Sequence, residues 1–209
     1  VSEDGTVKAI AVGKANIKVT NADGKTATCV VTVKDNVSYS LKDEKGKTYK
    51  ANGTLTVGAI KTAYSRGIKF LYADTKIGGK IVSRVKLDIT ALYAKVMSGN
   101  TDAINYGSTV YNIGVGSSVQ KLIDKNFGQI PVVVHMNQQD ILAAPVEIAV
   151  KVDLSKLDKD NLLFYAYDKE NKKVIKLNTS YRIDKNGFLH FRTDKAYDIL
   201  IVDEKLTKK

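Results

Sequence analysis

From Thr26 to Lys34 the chain alternates without a break. Ala27, Cys29, Val31 and Val33 fall on one side of an extended backbone, and Thr28, Val30, Thr32 and Lys34 on the other. A period of two is what a strand with one buried face requires, and no helix keeps such residues on one side. Ala15, Ile17 and Val19 alternate with Asn16, Lys18 and Thr20 in the same way. Between the two runs, Asp23-Gly24 supplies the left-handed backbone of a tight hairpin turn. A shorter strand, Val7 to Val12, follows Asp4-Gly5 and stops at Gly13. Residues 1–35 therefore read as a β-meander with one apolar face, and Cys29 on that face reads as a small buried hydrophobe.

The order of these elements carries a resemblance. Val1-Ser2-Glu3-Asp4-Gly5-Thr6-Val7, then Ala11-Val12-Gly13-Lys14-Ala15-Asn16-Ile17, then Thr26-Ala27-Thr28-Cys29-Val30-Val31-Thr32-Val33, resembles the C-terminal half of a group 2 bacterial immunoglobulin-like domain. The resemblance implies part of a β-sandwich repeat, used as a spacer or stalk in bacterial surface and secreted proteins. It also implies that the chain begins inside a domain. The open apolar face is then expected to be covered, and self-association through this partial domain is one way to cover it.

A second domain is expected over 36–209, with a possible subdivision near 144. Candidate strands are Val37–Leu41, Leu55–Val57, Ile68–Tyr72, Ile81–Ile89, Val110–Val115, Ile130–Met136, Val146–Leu154, Leu162–Tyr167, Val174–Leu177, Phe188–Arg192 and Tyr197–Val202. Turn-like clusters such as Gly78-Gly79 and Asn186-Gly187 separate them. One helix is expected. Ser117 or Ser118 caps it, Val119, Leu122, Ile123 and Phe127 form its stripe, and Gly128 ends it. Thr90–Met97 fits either period. The fold class is mainly β: an immunoglobulin-like sandwich fragment, then a sandwich-type domain with one short helix. The last 60 or so residues are similar to the β-rich ends of Gram-positive surface-protein modules, from the tyrosine strand at Leu163–Tyr167 to the closing strand at Ala196–Ile201.

Charge narrows the partners. The net charge is +11, yet all but four of the 33 basic residues are lysine, and the lysines are interspersed with acidic and apolar residues. Base and phosphate recognition favours clustered arginine forks, so no specific nucleic-acid site is expected, only diffuse attraction to anionic polymers. The longest apolar runs, such as Ile130–Val134, are too short for a membrane span. No signal peptide is expected from the run at Val1, and no sorting or lipidation signal from the run at Lys209.

Catalytic constellations are thin. His135 and His190 lie in strand patterns, and no Gly-x-Ser-x-Gly elbow exists. Asn112-Ile113-Gly114-Val115-Gly116-Ser117-Ser118 precedes the helix as a phosphate loop would, but lacks the third glycine and the Gly-Lys-Ser/Thr ending. Asp153, Asp158, Asp160 and Asn161 are oxygen ligands at the spacing of a calcium loop, without its central glycine. No catalytic residue, cofactor or metal is expected. Tyr165, Tyr167 and Tyr181 are the candidate ligand surface, since aromatic rings can take glycans. The reading is a non-catalytic structural or adhesive module of a bacterial cell-surface or secreted protein, from a Gram-positive source. The alternative is a carbohydrate- or cell-wall-polymer-binding module attached to an extracellular hydrolase. Partners are then cell-wall polymers, glycans or host and surface proteins.

Overall fold

A computed structural model describes residues 5–7, 13–33, 36–99 and 103–208. The chain divides into two compact units, 1–36 and 37–209.

In the first unit, β1 (Gly13–Thr20) pairs antiparallel with β2 (Thr26–Val33), and the register sets Ile17 opposite Cys29 and Val19 opposite Ala27. The Val7–Val12 strand of the sequence reading lies mostly outside the described residues. The ribbon's apolar residues are not buried: Val19 is 64% exposed, and Cys29 is an exposed free thiol. The expectation of a buried Cys29 is therefore corrected. Alternation placed it on the apolar side, but a two-stranded ribbon has no second layer of its own to bury that side.

The second unit opens with β3 (Val37–Asp43), β4 (Thr48–Tyr49) and β5 (Thr54–Leu55). Helix α1 (Val57–Ser65) follows, capped by Thr56, whose Oγ1 accepts from the Ala59 amide. Strands β6 (Phe70–Ile77) and β7 (Lys80–Asp88) form a hairpin across Gly78 and Gly79, both at positive φ. Asp88 ends β7 and caps α2 (Ile89–Met97). Next come β8 (Ile104–Asn105), β9 (Ser108–Tyr111), α3 (Ser118–Phe127) and β10 (Val132–Met136). The chain closes through β11 (Ile141–Lys151), β12 (Leu163–Asp168), β13 (Lys173–Leu177), β14 (Tyr181–Ile183), β15 (Phe188–Lys195) and β16 (Asp198–Val202). Among the described residues three short helices stand where one was expected. Leu55–Val57 is not one strand, because Thr56 caps a helix there.

Two antiparallel sheets carry the unit, ordered β14-β15-β11-β7-β6-β3-β4 and β13-β12-β16-β10-β9. Strand β11 runs through position 144 and joins β7 to β15. The main core lies between the sheets: Leu71, Leu87, Ile148 and Leu189 from one meet Val134, Phe164, Ile199 and Ile201 from the other. Helix α3 covers the far side of the five-stranded sheet, where Val119 and Ile123 pack on Val133, Tyr165, Tyr167 and Leu200. This layering explains a contrast in the sequence. Strands β12 and β16 are covered on both faces and read as continuous apolar runs, whereas β7 and β15 alternate. The seven-stranded sheet has one packed face and one polar, solvated face. Among the described residues, no helix is long and apolar enough to cross a membrane.

Candidate binding site

The polar face of the seven-stranded sheet is built by register. Glu147 stands opposite Lys86 on one side and Arg192 on the other. Ala149 stands between Arg84 and His190, and His190 faces Arg182. Three of the chain's four arginines thus share one face, contributed by β7, β14 and β15. The fourth, Arg66, is used in the fold, 2.7 Å from the Tyr49 hydroxyl and 3.5 Å from the buried Asp43 carboxylate. Arg84 is clamped in a bidentate pair, Nε to Asp74 Oδ1 at 2.6 Å and Nη2 to Oδ2 at 3.0 Å. Phe70 and Tyr72 lie on the same face, with the Lys86 ammonium 4.1 Å above the Phe70 ring and the Arg84 guanidinium 5.8 Å from the Tyr72 ring.

A cleft of about 490 Å³ opens on this face, lined by Phe70, Lys86, Glu147, Arg182, His190 and Arg192 among others. His190 is fixed in it. Arg182 Nη2 lies 2.9 Å from His190 Nδ1 and Glu147 Oε1 lies 3.3 Å from it; a guanidinium can only donate, so in the neutral ring Nδ1 accepts the shorter contact. The proton on Nε2 then donates to Asp184 Oδ2 at 3.1 Å. Asp184 also accepts the amides of Asn186 and Phe188, each at 2.9 Å. The Phe188 amide, then His190, hold its carboxyl down to about 2. Both ring nitrogens of His190 are therefore occupied by neighbours.

The second histidine sits on the other sheet. His135 Nδ1 bonds Asp198, and Lys169 Nζ lies 2.8 Å from the second carboxylate oxygen as an ion contact rather than a directed hydrogen bond. An oriented histidine resembles the acid–base half of a hydrolase triad. Here Lys169 shares the carboxylate with the imidazole, and the cross-strand neighbour Thr109 makes no hydrogen bond to the ring.

The sequence-derived candidates separate. Tyr165 and Tyr167 share the α3 side of the five-stranded sheet and are 6% and 7% exposed. Tyr181 lies at the other cleft, its ring 5.5 Å from Phe164, with its hydroxyl donating to Lys159 O and accepting from the Leu162 amide. The three do not form one platform. The glycine loop before α3 is closed by its own helix. Gln120 Oε1 accepts the Gly116 and Ser117 amides at 2.9 and 2.8 Å, so those donors are not offered to a phosphate. The Asp153 and Asp158 carboxylates are engaged in local turns with Ser155, Asp160 and Asn161. Among the described residues no group of three or more histidine, cysteine or acidic side chains is placed to hold a metal ion.

Sequence reasoning missed Glu147, Arg182 and Arg192. The signal was present in the alternation of Glu147-Ile148-Ala149-Val150-Lys151 and His190-Phe191-Arg192, where Glu147, Lys151, His190 and Arg192 alternate with apolar residues. Comparison with protein-family models, with curated proteins and with solved structures finds no match to the chain.

Proposed function

We propose that the chain is a segment of a bacterial cell-surface or secreted protein. In this reading 1–35 belongs to an immunoglobulin-like spacer, and 36–209 is a non-catalytic structural or adhesive module, adhesive by the face described above. The observation that carries it is the gathering of Arg84, Arg182 and Arg192, with Phe70 and Tyr72, on one solvated sheet face. Arginine and aromatic side chains are the groups that protein interfaces enrich and that supply most binding energy. The ring faces of Phe70 and Tyr72 already have cations beside them, which favours a carboxylate-bearing protein partner over a stacked sugar. The engagement of His190 on both nitrogens favours holding over turnover. The test is binding of poly-L-glutamate to the full chain and to Arg182→Lys/Arg192→Lys, which keeps the charge and removes the forks. Affinity falls about ten-fold if the forks make the contact, the loss of one or two charge-assisted hydrogen bonds. Unchanged affinity shows that lysine charge alone is responsible.

A further inference from the structure

The outer side of the five-stranded sheet carries a second depression, of about 700 Å³, bounded by α3, the β12–β13 hairpin and the segment around Leu206. Its floor is apolar: Leu122 and Phe127 from α3, Tyr165 and Tyr167 from β12, Val174 from β13, and Leu206. Lys125, Lys172, Lys173, Lys176 and Lys208 ring it, and no carboxylate is among its lining residues. Among the described residues, none of these five ammonium groups forms an ion pair within 4 Å. One is held against the backbone's preference. Lys172 has φ 51°, and it is the one non-glycine residue at positive φ among the described residues. That region suits glycine and asparagine. Residues kept there against preference concentrate at ligand contacts. The turn just before it is pinned by Asp168, which accepts the Asn171 amide at 3.0 Å and its side-chain Nδ2 at 2.7 Å.

A ring of five lysines around an apolar floor, with no carboxylate in the lining, defines its occupant by complementarity. The occupant has an aliphatic part for the floor and an anionic end for the rim. We propose that this groove binds one anionic amphiphile, an aliphatic chain ending in a phosphate or carboxylate, with Lys172 and Lys173 at the head group. The volume falls within the roughly 300–1,000 Å³ of small-molecule sites, which are mostly apolar with a few placed polar groups. Single-stranded nucleic acid fits less well. Its bases stack on open ring faces, and Tyr165 and Tyr167 are nearly buried.

Dodecyl phosphate, titrated calorimetrically below its micelle concentration into the full chain, tests this. It should bind once per chain, far more tightly than inorganic phosphate. Lys172→Gly should weaken it about ten-fold, the loss of one charge-assisted contact, while thermal stability holds or rises because the positive φ is relieved. Lys172→Asn, which also tolerates that backbone, is the second variant should the glycine variant fold poorly. Equal affinity for inorganic phosphate would overturn the proposal. So would binding to phosphatidylglycerol vesicles without binding the monomeric amphiphile, displacement by single-stranded DNA at lower concentration, or unaltered affinity in both variants.

Discussion

His135 and Asp198 face each other across the β10–β16 ladder, with Nδ1 and Oδ1 2.5 Å apart and the carboxylate fully buried. Burial alone would push the Asp198 carboxyl up. The hydrogen bond from His135 and the nearby Lys169 outweigh it and hold the carboxyl below its ordinary value of 3.8. Removing His135 leaves a buried charge with a single, half-exposed partner. His135→Ala should therefore cost roughly 3 kcal/mol, and Lys169→Ala no more than about 1 kcal/mol. Urea unfolding of the two variants gives the comparison, and equal losses would contradict this ordering.

The same pair sets an acid dependence. A carboxyl lowered by folding stabilises the native state fully above its unfolded value, here 3.8, and stops doing so as pH falls through the folded value. Asp198→Asn should flatten the fall in stability below that pH while lowering stability at neutrality. A variant that keeps the native acid profile would show that other carboxylates govern it.

Asp184 offers a second titration, read directly. Its carboxyl should titrate near 2 by carboxyl-detected NMR. His190→Ala should move the midpoint upward, and the remaining Phe188 and Asn186 amides should keep it below 3.8. An unmoved midpoint would mean that the imidazole contributes nothing.

Gln120 is 1% exposed and ties α3 to three main-chain carbonyls, those of Tyr111, Asn112 and Pro131, while accepting two amides. Gln120→Ala should cost roughly 3 kcal/mol, because buried carbonyls lose their donor. Gln120→Glu should also destabilise, since the donor is lost and a charge is buried. Tolerance of both, by denaturant melts, would contradict the assignment.

Much of this arrangement is legible in the sequence, and its limits are physical. The α3 stripe at Val119, Leu122, Ile123 and Phe127 lies within 118–127, with Ser117 capping and Gly128 at φ 72°. Most candidate strands fall on observed ones, because alternation and turn residues are local. Helix α1 escaped because Ile60 and Ala63 are its only buried residues, too few for a stripe. In α2 the β-branched residues suit either period. The candidate site was out of reach for another reason. Glu147 and His190 lie 43 residues apart, and only sheet register brings them together. Cys29 shows the converse. Alternation marks the apolar side of a ribbon but does not say whether anything lies on it.

Cys29 gives the first unit its own test. An exposed thiol should react with Ellman's reagent in the native state at close to the rate of a free peptide thiol. If copies of the ribbon associate, raising protein concentration should slow the reaction, and Val19→Lys should restore it. Slow reaction at every concentration would contradict the exposure.

The non-catalytic reading is tested by turnover. p-Nitrophenyl esters and glycosides should be hydrolysed no faster than in buffer. Hydrolysis that disappears in His135→Ala or His190→Ala would make one of these residues a base.

The polar face of the seven-stranded sheet is the face we propose for partner docking. A ¹⁵N-labelled full chain titrated with short glutamate oligomers and followed by amide chemical shifts tests it most directly. Perturbations should concentrate on β7, β14, β15 and the Glu147 segment of β11, and should need about ten-fold more ligand in Arg182→Lys/Arg192→Lys. Shifts spread over lysines on every surface, or unchanged by that variant, would contradict it.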